Sequence, residues 1–157
     1  MALVLLGSLV MASHTRAADP VAAAPAPAGK VYKVLPLLLN REGKDALSPS
    51  LFDRDAYQFY LRQHTNEISG IRYDVLWRAS GTAGNVVKVK VELQAVAPDG
   101  SPRRKTLETV VTPSHYRHWT ELLLKDNDYI SLGHIVAWRA TLWSGDQLLG
   151  TQQSFLW

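Results

Sequence analysis

Two short stretches hold the residue types that could do chemistry. Ser101-Pro-Arg-Arg-Lys105 is the basic cluster of the chain, and His115-Tyr-Arg-His118 follows it after one intervening strand pattern. Guanidinium and ammonium groups at Arg103, Arg104 and Lys105 suit carboxylates, sulfates or phosphates. The rings of Tyr116 and Trp119, beside His115, Arg117 and His118, add a surface on which a sugar or a base can stack. If the strands carrying the two stretches pair, these seven residues form one contact surface. An anionic polysaccharide or a protein is then the expected partner, and nucleic acid is the less favoured polyanion because the formal charge is only +3.

Other constellations lead away from catalysis. His115 and His118 could share a zinc ion only on a helix with a third ligand, whereas Pro113 and the alternation from Trp119 onward make this a loop entering a strand. Asp53 with Asp55, or Asp126 with Asp128, could serve a carboxylate-dependent hydrolase. As calcium loops both lack the regular oxygen spacing and the terminal Glu, and Asp and Asn favour turns for their own geometry. The sequence has no glycine-rich phosphate loop and no serine on a Gly-x-Ser-x-Gly elbow. No cofactor is expected, and a non-catalytic module for binding or assembly is the leading reading.

The elements that must position these residues are mostly strands. Lys30–Leu39 reads as a first strand, and Pro36 within it argues for an edge or a bulge, because proline cannot donate to a ladder. Ser50 or Asp53 can cap a helix from Leu51 to about His64, with Phe52, Ala56, Phe59 and Tyr60 as its apolar face. Ile71, Tyr73, Val75 and Trp77 alternate with Arg72, Asp74, Leu76 and Arg78. Across a Gly81–Asn85 turn, Val87, Val89, Val91, Leu93 and Ala95 alternate with Lys88, Lys90, Glu92 and Gln94. Strands with one wet face belong to antiparallel sheets. Further strands are expected from about Arg104 to Thr112 and from about Trp119 to Leu124, followed by a corner at Lys125–Tyr129. The chain closes in a hairpin around Ser144-Gly145-Asp146-Gln147, with Val136, Trp138, Ala140 and Leu142 facing the core. In its second strand Leu149, Thr151, Phe155 and Trp157 oppose Leu148, Gly150, Ser154 and Leu156, so periodicity leaves the buried side open.

Seven strands with one short helix between the first two predict an all-β, antiparallel, two-layer sandwich. The strand count and the closing strand-turn-strand Trp138–Trp157 make the chain resemble an immunoglobulin or fibronectin type III domain of a bacterial secreted protein. That resemblance implies a seven-stranded immunoglobulin-like β-sandwich that binds or assembles through its surface. The chain departs from antibody domains in having no cysteine and in placing Trp77 in the second strand.

The start of the chain predicts export. Residues 2–12 form an apolar run of signal length, shorter than the ~20 residues that span a bilayer, so no transmembrane helix is expected. Residues 1–17 read as a signal peptide, 18–29 as an Ala/Pro-rich spacer and 30–157 as the folded domain, in the periplasm or outside the cell. An aromatic last residue also makes a small outer-membrane β-barrel an alternative. Against it stand an odd strand count, short strands and a charged helix. Cleavage after Thr15-Arg16-Ala17 should leave Ala18 or Asp19 as the first residue. Intact-mass measurement on the exported protein checks this, and retention of Met1 overturns it.

Overall fold

The computed structural model describes residues 26–82 and 86–157. The expected signal peptide, residues 18–25 of the spacer and Ala83–Asn85 of the first β-turn lie outside the described residues. Within them the chain forms seven strands in two antiparallel sheets. Strands β1 (Ala28–Asn40), β2 (Ile68–Ser80) and β5 (His118–Lys125) make a three-stranded sheet in the order β1-β2-β5. Strands β3 (Val87–Val96), β4 (Pro102–Val111), β6 (His134–Ser144) and β7 (Gln147–Gln153) make a four-stranded sheet in the order β4-β3-β6-β7. The sheets do not join into one hydrogen-bonded ring, and their facing sides are apolar, the reverse of a membrane barrel's polar lumen. No helix among the described residues is long and apolar enough to cross a membrane.

Alternation decides what lies between the layers. Val31, Val34, Ile71, Tyr73, Val75 and Trp77 from one sheet meet Val87, Val89, Val91, Leu93, Ala140 and Leu142 from the other in one buried cluster. Trp77 is wholly buried, and its indole N–H donates to the Thr120 hydroxyl at 2.8 Å, so its single polar atom is satisfied. At one side β1 and β7 close the seam between sheets. A Cβ on Gly29 would stand 2.7 Å from that of Leu149, and one on Gly150 would stand 2.8 Å from the Gly29 carbonyl oxygen. Strand β1 therefore begins two residues inside the span read as spacer, and its backbone needs glycine where β7 approaches. Pro36 lies in this edge strand, as its missing N–H predicts.

Several local expectations are corrected. Helix α1 (Leu51–Gln63) is capped by Ser50, whose hydroxyl accepts from the Asp53 N–H, but its aromatic stripe does not pack: Phe52 is 81% exposed, and Phe59 is exposed too. The buried positions are Gln58 and Leu61. The Gln58 amide accepts from the Leu38 N–H and donates to the Leu38 carbonyl, both at 2.8 Å, and also donates to the Asp45 carbonyl at 2.9 Å. A polar contact, invisible to hydrophobic periodicity, thus seats the helix. A 3-10 turn follows at Thr65–Glu67, and the expected Lys125–Tyr129 corner is a second helix, α2 (Asp126–Leu132). In β6 a register shift opposite Gln94/Ala95 lets Ile135 and Trp138 both lean on the core while Val136 turns outward. Beyond β7 the chain turns away, leaving Phe155 and Leu156 exposed.

Trp77, not Trp138, is the wholly buried tryptophan of the core. Replacing Trp77 by Ala should cost ~3–5 kcal/mol, and the same change at the partly exposed Trp138 should cost less. Denaturant melts of the two variants check the order.

Candidate binding surface

The seven residues singled out from sequence do not converge. Strand β4 runs its full length between them, with Arg103 opposite Ala95 at one end and Val111 opposite Val87 at the other. At ~3.4 Å per residue the basic turn and the His115–His118 segment sit at opposite ends of the sandwich. The basic turn is also partly engaged within the fold. Lys105 Nζ lies 2.7 Å from the Asp128 carboxylate, and Arg103 donates to the Ser131 carbonyl at 3.2 Å, so two of the three cations hold α2 against β4. Arg104 points to the outer face of the four-stranded sheet, beside Glu92, Arg139 and Trp157.

The carboxylate pairs are likewise taken up locally. Asp53 accepts from the Ser48 hydroxyl, Asp55 lies 3.5 Å from Arg54, and Asp128 holds Lys105. Asp126 and Asp128 open α2.

The second stretch forms an exposed loop, in different company from the one expected. His118 stacks on Trp77 with ring centroids 5.0 Å apart, and its Nε2 accepts from the Ser114 N–H at 2.9 Å. This histidine anchors the loop. It thereby presents Tyr116, 80% exposed, and Trp119, 52% exposed, to solvent. The Arg117 guanidinium lies 4.2 Å from the ring centre of Tyr32 in β1, and Lys30 Nζ lies 5.3 Å from the same ring on the near strand. Register adds two more cations: Arg78 opposite Lys30, and Lys33 opposite Leu76, which itself faces Trp119. Lys30, Lys33, Arg78 and Arg117 make no ion pair among the described residues, whereas Lys88, Lys90 and Arg139 on the other sheet each face a glutamate. Beside this ledge a cavity of about 280 Å3 is lined by Arg78–Thr82 and Pro113–His115. Sequence reasoning named Trp119 beside Tyr116 but missed Lys30, Tyr32, Lys33 and Arg78 as partners of Arg117, because only the β1-β2-β5 order brings those four to it.

The outer face of the four-stranded sheet is charge-balanced by contrast. Glu92 sits between Arg139, which donates at 2.8 and 3.0 Å, and Lys90 at 3.1 Å, and Arg139 lies 4.6 Å from the Trp157 ring centre. Burial pushes the Glu92 carboxyl up, but the hydrogen bonds from Arg139 and Lys90 outweigh it and hold the group below the ordinary glutamate value. A carboxyl depressed on folding stabilises above its unfolded pKa and loses that contribution as pH falls through the folded value. Glu92→Gln should therefore narrow the stability gap between neutral pH and acid. Melting temperatures at pH 7 and pH 3 for both proteins check this.

No protein-family model matches the chain, and no curated protein matches it by sequence. Among solved structures, a crystal structure of a protein from Akkermansia muciniphila is similar over 82% of this chain and 71% of that one, with a TM-score of 0.52 at 11% identity. At that identity the likeness speaks to fold alone, and it agrees with a β-sandwich.

Proposed function

We propose that this chain is an exported, non-catalytic binding module of the immunoglobulin or fibronectin type III kind, and that its ligand is an anionic polysaccharide held on the outer face of the three-stranded sheet. The strand order supports the fold reading: two antiparallel sheets of three and four strands, with the fourth strand moved beside the third. Constant immunoglobulin domains keep their fourth strand with the first sheet, which favours the fibronectin side of the resemblance.

The observation that carries the ligand reading is the group of four cations around Tyr32 and Trp119 that have no carboxylate partner among the described residues. Like charges crowded on one face repel each other, and an anionic polymer relieves that repulsion. Exposed aromatic rings beside them offer apolar faces to sugar rings. A flat, open ledge also suits a polymer better than a small molecule, which needs enclosure.

Binding to a uronate-rich or sulfated polysaccharide should weaken steeply as salt rises from 50 to 200 mM. Affinity electrophoresis should show about a tenfold loss for Arg117→Ala combined with Trp119→Ala, and little change for Arg103→Ala. Equal binding by the double variant and the parent would remove the polysaccharide from this ledge.

A further inference from the structure

The opposite end of the sandwich holds a second feature, independent of the polysaccharide reading. Where β1 ends and β2 and β6 begin, the two sheets part, and a cavity of about 440 Å3 opens between them. That volume lies within the range of small-molecule sites. Its walls are Leu38, Ile68, Ile71 and Ile135, and Leu38 and Ile135 pack directly against the central cluster, so the floor of the cavity is the core itself. Both helical insertions frame the opening: Arg62 comes from the last turn of α1 and Tyr129 from α2.

The polar side chains that line it are Arg62, Thr65, Tyr129 and His134. Arg62 makes no ion pair among the described residues, and His134 is exposed beside the mouth. Tyr129 is half-buried, and its hydroxyl makes no hydrogen bond among the described residues. Burial raises this phenol above the ordinary tyrosine value, so it stays a neutral donor through the physiological range. The hydroxyl is not cut off from solvent, so water serves it in the free protein and a ligand carboxylate can replace that water.

We propose that this cavity binds an amphipathic carboxylate, with its hydrocarbon chain between the sheets against Leu38, Ile71 and Ile135 and its carboxylate at Arg62 and the Tyr129 hydroxyl. Apolar walls account for the tail, and a lone guanidinium with a neutral phenol accounts for the head. A polar polymer is not suited to walls of this kind. Lys30, Lys33, Arg78 and Arg117 lie at the far end of the strands and play no part.

The test uses the full chain titrated with dodecanoate below its micellar concentration, followed by calorimetry and by methyl NMR. Saturable one-to-one binding should shift the methyl signals of Leu38, Ile71 and Ile135. Arg62→Gln should weaken binding about tenfold, dodecanol should bind more weakly than dodecanoate, and Ile68→Trp should block the mouth. Thermal melts establish that each variant is folded. If Ile68→Trp fails to fold, the Arg62→Gln and dodecanol comparisons decide alone. Absence of saturable binding, equal affinity of dodecanoate for the parent and Arg62→Gln, or shifts confined to the Trp119 face would each overturn the proposal. Binding of dodecanoate here with no polysaccharide affinity would remove only the ledge, and the converse result would remove only the cavity.

Discussion

A large indole with one polar atom cannot be buried without a partner for that atom, and Trp77 meets this demand through the Thr120 hydroxyl. The bond ties β2 to β5 at a single register, in which Trp77 stands opposite His118 and Leu76 opposite Trp119. Because side chains alternate, the same register that turns Thr120 inward turns Trp119 out. His118 then closes over the indole and pins the loop behind it at Ser114. The position of Arg117 over Tyr32 follows from a requirement of the core, two strands away. Core and ledge are the two sides of one pairing.

Much of the architecture was legible in the residues. Alternation in Ile71–Arg78 and Val87–Ala95 located two one-sided strands and hence antiparallel sheets, and Pro36 marked an edge. Turn chemistry at Pro98–Pro102 and Ser144–Gln147 set the ends of neighbouring strands. What stayed hidden was fixed by contacts that leave no period. Gln58 seats α1 through backbone hydrogen bonds, so a search for apolar spacing chose Phe52 and Phe59 instead. A register shift in β6 turned Val136 out after alternation had placed it inside.

The candidate site was legible only by half. Charge and aromatic content pointed to Arg117, Tyr116 and their neighbours, but a local reading joined them to the nearest basic run along the chain. Proximity in sequence misled because β4 separates the two stretches by its whole length. The cations that do surround Arg117 come from β1 and β2, with Lys30 87 positions away in the chain. Strand order, a global property, decides that neighbourhood. The two helices show the same limit: each looked like a local cap or corner, and together they frame the opening between the sheets.

The Gln58 amide has an effect beyond fixing a helix. By presenting a carbonyl and an N–H to the two free backbone groups of Leu38, it copies one rung of a neighbouring strand. An extended segment from another molecule arriving at that stretch of the β1 rim finds its docking points already occupied and a helix in its way. Self-association by strand addition is blocked there. Strand addition between copies must therefore use an edge other than the Leu38 stretch of β1, which makes the two ends of that rim unequal.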